Sequence, residues 1–167
     1  MRPIALLLAT LALAGCGSTG STGEFGEVKL VMPARQTADD VGVYFATSRG
    51  YDEAEGVTLE PTRDQATADF RIAARPPANC VAVLAIVQPD KLVLCVDKFI
   101  LSDDPDKVKA VAAALQRGYT QAQLEPDEAA AAMNISAADV EDAAPTWTAG
   151  ASKFGALKPG PGRQPLY

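Results

Sequence analysis

AIVQPDKLVLCVDK, residues 85–98, holds two apolar runs, Ala85 to Val87 and Leu92 to Val96, parted by Gln88-Pro89-Asp90-Lys91. Neither run alternates with polar residues, which is how strands covered on both faces read. Pro89 and Asp90 are turn formers, so the stretch predicts a hairpin of two interior strands. The first of them extends back to Cys80 as CVAVLAIVQ. A hairpin buried on both sides needs partners, and the rest of the chain must supply them.

Upstream, ADFRIAA (68–74) carries Phe70 and Ile72 in alternation and predicts a neighbouring strand. EVKLVM (27–32) alternates Val28, Leu30 and Met32 with polar residues and is closed by Pro33. DDVGVYFATSRG then puts Val41, Tyr44, Phe45 and Ser48 on one helical face and stops at Gly50, which suits a left-handed cap. YDEAEG makes a short helical turn, and VTLEP (57–61) a further strand. Strand, helix, strand is the unit that builds parallel sheets.

Downstream, SDDPDKVKAVAAALQRGYTQAQ predicts the best-marked helix of the chain. Asp104 stands as its N-cap, Pro105 at its first position, Asp106 at the positive dipole end, and Val108, Val111, Ala112, Leu115, Tyr119 and Ala122 form the apolar stripe. EPDEAAAAM and SAADVEDA open two shorter helices, the second with Ser136 and Asp139 at capping-box spacing. The class is α/β: a mixed, mostly parallel sheet with flanking helices and a helical C-terminal block, in one domain spanning 27–157.

The chain ends carry different information. MRPIALLLATLALAGC has one cation, Arg2, before an apolar run too short to span a bilayer, and reads as an export signal over residues 1–15. Leu13-Ala14-Gly15-Cys16 resembles a bacterial lipoprotein signal, which implies lipidation of Cys16 and an extracytoplasmic protein anchored to the cell membrane. Residues 16–26 are small and polar and form a flexible tether; residues 158–167, with three prolines and two glycines between Lys158 and Pro165, read as a disordered tail outside any sheet.

Composition removes several functions. Lys and Arg number 15 against 21 Asp and Glu, a formal net charge of −6, which argues against nucleic acid as a partner. Histidine is absent, and with Cys16 committed to lipid only Cys80 and Cys95 remain, so no metal site of the usual His and Cys type is expected. No cofactor is expected either. Histidine-dependent nucleophile and base pairs are excluded.

Four stretches in order carry a resemblance to a known family: GVYFATSRGYDEAEGVTLEP (42–61), ATADFRIA (66–73), VAVLAIVQPD (81–90) and DDPDKVKAVAAALQRGYTQAQLEPDEAA (103–130). They are similar to the solute-binding lipoproteins of ABC importers that handle thiamine-related pyrimidines, riboflavin, alkanesulfonates and nitrate. That resemblance implies a periplasmic-binding-protein type 2 fold, an ABC permease as partner and a small organic solute as ligand. In the family, much of a second lobe is inserted between the strands resembling AIVQPD and KLVLCVDKFI. Here they meet at Asp90-Lys91. The implied object is a single lobe with most of the other missing, which leaves half of any ligand in water.

Candidate ligand-binding residues follow from the loop after the first strand and the helix that succeeds it: Arg35, Gln36, Asp40 and Tyr44. A helix start offers free N–H groups and tyrosine offers a ring face. The resemblance adds Asp69 and Gln88. Each has a plainer reading, with Tyr44 as core, Asp40 as a solvated first-turn charge and Asp69 as a turn cap; Arg117 and Tyr119 read as packing and surface residues, and Trp147 as packing for the last helix.

The cysteines pose a conflict. An exported setting favours a Cys80–Cys95 disulfide, whereas a hairpin centred on Pro89-Asp90 sets Cys95 opposite Leu84 and Cys80 opposite Phe99, out of register for a bond. Three functions are in view: a lipid-anchored solute-binding component of an ABC importer, a degenerate non-binding surface lipoprotein that meets a protein partner, and an enzyme. Distant members of the same fold make a pyrimidine with histidine and iron, so the absence of histidine sets enzymatic activity aside.

Overall fold

The computed structural model describes residues 23–66, 68–88, 91–149 and 161–164. The export signal, Cys16, the tether up to residue 22, the turn residues Pro89 and Asp90, and the rest of the tail lie outside the described residues. Strand β1 (Gly26–Val31) leads through a 3-10 turn, Ala38–Asp40, into α1 (Val41–Ser48), α2 (Tyr51–Ala54) and β2 (Val57–Thr62). Next come β3 (Phe70–Ala73), β4 (Cys80–Val87) and β5 (Leu92–Asp97), then α3 (Lys98–Asp103), α4 (Pro105–Leu124), α5 (Pro126–Met133) and α6 (Ala137–Ala143).

Local chemistry sets the element ends. Gly50, at φ 65°, turns the chain out of α1 in the left-handed region where a Cβ is costly. Asp104 accepts from the Lys107 N–H at 3.1 Å, and Pro105 opens α4. Ser136 accepts from the Asp139 N–H at 3.1 Å to start α6. Helix α3 was not expected from sequence; Asp97 creates it by accepting from the Phe99 N–H at 2.8 Å.

The strands form one sheet in the order β2-β1-β3-β5-β4. β1 runs parallel to β2 and β3, while β5 is antiparallel to both β3 and β4. Four strands therefore point one way and β5 opposes them, which is the mixed, mostly parallel sheet of a single lobe. Val28 and Leu30 of β1, Val57 and Leu59 of β2, and Phe70 and Ile72 of β3 share one core with the apolar stripes of α1, α4, α5 and α6. On the reverse face Glu27, Lys29 and Glu60 are exposed.

The hairpin explains its own lack of alternation. Beside the turn Val87 opposes Leu92, as the unbroken hairpin requires, but register shifts occur between Ala85 and Val87 and between Ala82 and Leu84. Each gives β4 one residue more than β5. As a result Val83 and Leu84 both face the helices, as do Ile86 and Val87, while Cys80, Ala82 and Ala85 face the other way with Val93 and Cys95. After two shifts Cys95 opposes Ala82 instead of Leu84, and Cys80 opposes Asp97. The cysteines become diagonal neighbours on one face, with Cα atoms 5.6 Å apart, and are bonded. Hairpin and disulfide coexist; the conflict came from assuming a regular ladder.

β3 and β4 run the same way with β5 between them, so residues 74–79 must cross β5. Ala74, Pro76, Pro77 and Ala78 line a groove with Cys80, Ala82 and Val93 on that reverse face. The outer edge of β4 is also engaged. Thr148 N–H donates to Ile86 at 2.8 Å and Gln88 N–H to Thr146 at 2.9 Å. Farther along, Ala82 N–H donates to Gly162 at 2.9 Å and Gln164 N–H to Ala82 at 3.0 Å. This corrects the expectation that the tail makes no sheet contact: residues 161–164 use backbone groups beside Gly162, at φ 70°, and need no proline N–H.

Candidate functional site

Helices α1 and α4 approach each other through glycines. A Cβ built on Gly42 would overlap the Tyr119 ring, and one on Gly118 would overlap the Gly42 carbonyl. This fit lets the fully buried Tyr119 reach past α1, where its OH donates to the Asp39 carbonyl at 2.5 Å. Trp147 is 4 % exposed, stacks edge-on against Tyr119 with centroids 5.3 Å apart, and donates its Nε1–H to Asp39 Oδ1 at 3.1 Å. Two distant segments thus hold the loop that follows β1.

That loop forms one wall of a cleft of about 720 Å³. Gln36, Thr37, Ala38 and Asp39 line it on one side, and Val87 with Lys91 also lines it. The facing wall comes from the α5–α6 region: Met133, Asn134, Ile135, Asp139, Asp142, Ala143 and Thr146. Asn134, at φ 56°, makes the left-handed turn that ends α5 and brings Ile135 into the wall. The cleft sits beyond the carboxyl ends of β1 and β4. The chain proceeds from β1 to β2 on one side and returns to β3 on the other, so the switch point of the sheet lies between β1 and β3, and the loop after β1 that walls this cleft also borders it.

Of the candidates from sequence, Gln36 lines the cleft, Arg35 is exposed beside it on the same loop, and Gln88 is exposed just after Val87 at the end of β4. Tyr44 is half-buried one turn into α1 and is not among the lining residues; burial and the neighbouring Asp40 raise its phenol pKa, with Arg63 opposing. Asp69 is exposed at the amino end of β3, where its carbonyl accepts from the Asp97 N–H at 3.0 Å. The structure does not bring it to the cleft. Asp39, Lys91, Asp139 and Asp142 were not anticipated. The three acids sit near helix ends, which is also the mark of ordinary solvated charge, and Lys91 read only as a turn residue.

Asp40 corrects the reading of a solvated first-turn charge, since it is 1 % exposed. Its Oδ2 accepts from the Thr37 N–H at 2.9 Å, while Oδ1 has no partner among the described residues. Burial, reinforced by Asp39 and opposed by the Thr37 hydrogen bond, pushes its pKa from 3.8 up to about 6. Because the folded state holds this proton more tightly than the unfolded chain, the contribution of Asp40 to stability is fully present below about pH 3.8 and is lost as pH rises through about 6. Asp40→Asn keeps an acceptor for Thr37 and removes the buried charge. We expect it to stabilise the protein by about 1–2 kcal/mol at pH 7.5 and by much less at pH 4. Urea midpoints at the two pH values check this; an equal effect at both would refute it.

No protein-family model matches the chain, and neither does any curated protein. Among solved structures, the chain is similar to a Candida albicans protein described as the conserved CA3427 gene product, which defines a new family of proteins exhibiting the generic periplasmic binding protein structural fold. The match covers 78 % of this chain and 82 % of that one, with a TM-score of 0.56 and 10 % sequence identity. The fold is that of a periplasmic binding protein. Among the described residues it is present as one lobe, built on one sheet, and no three His, Cys, Asp or Glu side chains are grouped to hold a metal ion.

Proposed function

We infer that this protein is a solute-binding module: a lipid-anchored, extracytoplasmic component of an ABC import system that takes a small organic solute such as a thiamine-precursor pyrimidine, a flavin or a sulfonate. The observation that carries this reading is the cleft at the carboxyl ends of β1 and β4, of a size suited to such molecules, in a chain with the periplasmic-binding-protein fold. The export signal and the Cys16 motif support the anchor. The scaffold alternative calls for a contiguous exposed apolar patch. The large exposed apolar side chains among the described residues, Phe99 and Leu124, flank opposite ends of α4, whose 20 residues span roughly 30 Å.

A cleft bounded by one lobe buries part of its ligand, so affinity in the millimolar range is expected. A thermal-shift screen of the full chain in detergent, against heteroaromatics, flavins, sulfonates and amines, tests the reading. At ten times Kd a ligand adds about 1.4 kcal/mol, a rise of several degrees in Tm. A flat response across every class would defeat it. The anchor has its own check: labelled palmitate should enter the wild type and not Cys16→Ser.

A further inference from the structure

We propose that the cleft selects organic cations, an alkylammonium or a protonated amino-heterocycle, over neutral and anionic solutes of the same shape. This rests on the solute-binding reading above. Its side-chain charge is one-sided: Asp39, Asp139 and Asp142 stand against Lys91 alone. Asp142 is exposed and has no ion-pair partner among the described residues, so its charge is available to a guest. Asp39 is held in place from both sides, by Tyr119 through its carbonyl and by Trp147 through Oδ1. A fixed carboxylate loses less freedom on meeting a ligand than a floppy one.

One further feature points the same way. Immediately behind the wall Asp40 is buried with Oδ1 unpartnered, adding negative potential whenever it is ionised. Val87, Met133 and Ile135 give an apolar body somewhere to lie while the ammonium faces the carboxylates. A separate groove of about 310 Å³ between the ends of β1 and β3 is lined by Arg71 and Arg75. The test must therefore localise binding as well as rank it.

Isothermal titration of the full chain in nonionic detergent with benzylamine, benzyl alcohol and benzenesulfonate provides that test. We expect benzylamine to bind at least about tenfold more tightly than benzyl alcohol in 20 mM salt, and several-fold more weakly in 500 mM salt. Asp142→Asn, at an exposed position whose side chain has no hydrogen bond or ion pair among the described residues, should weaken benzylamine about three- to fivefold more than it weakens benzyl alcohol. Equal binding of amine and alcohol, tighter binding of the sulfonate, or amine affinity indifferent to both salt and Asp142→Asn overturns the cation preference while leaving solute binding intact. Silence from all three probes overturns the cation preference, and only a flat response across every solute class in the thermal-shift screen overturns solute binding with it.

Discussion

Gly118→Ala should destabilise the protein by at least about 3 kcal/mol, lowering Tm by more than about 10 °C. On propensity alone the change is favourable, since alanine exceeds glycine by about 1 kcal/mol inside a helix. The contact reverses the sign. A methyl at Gly118 runs into the backbone oxygen of Gly42 and comes within 2.8 Å of the Ala46 Cβ, and neither can turn aside as a flexible side chain would. Helices α1 and α4 must separate. Separation loosens Val111, Leu115 and Ala122, which are fully buried, and withdraws Tyr119 from the Asp39 carbonyl that shapes the cleft. Urea unfolding followed by far-UV circular dichroism measures the loss. A variant as stable as the wild type would show that the two helices have room to spare.

Replacing both bridged cysteines, Cys80→Ala with Cys95→Ala, should cost about 3 kcal/mol, and reducing the wild type should produce a loss of similar size. The cross-link spans a sequence separation of 15, and both residues are buried, at 6 % and 0 % exposure. It ties the start of β4 to β5 at the end of the hairpin remote from the turn, where two register shifts have already broken the regular ladder. Alanine is chosen because a serine hydroxyl at Cys95 would be buried among Ala82, Ala85 and Val93. Unchanged urea midpoints in the variant, or free thiols at Cys80 and Cys95 in the native chain, would count against the bond.

Much of the fold was legible because its signals are short-range. Asp104 and Pro105 announce α4, Gly50 ends α1, and the spacing of Val28 and Leu30 predicts β1 from a few neighbouring residues. The candidate site was legible only along one loop. Gln36 could be anticipated because the position after a first strand in an α/β sheet faces the ligand region whatever the family. The opposite wall is about a hundred residues away in the chain, and nothing local marks Met133, Ile135 or Asp142 as its partners. Asp69 shows the converse limit: its strand was read correctly, but the resemblance assigned it to a cleft from which the strand's direction removes it.

By itself the sequence determined the order of the strands and of every helix but α3, the α/β class and the direct join between β4 and β5, since periodicity, caps and breakers act over a turn or a few residues. The tertiary structure alone decided the hairpin register, the cysteine pairing, the inward turn of Asp40 and the far wall of the cleft. These depend on which face each residue finds buried once the sheet and helices are packed, and two extra residues in one strand are enough to change that without altering any local pattern.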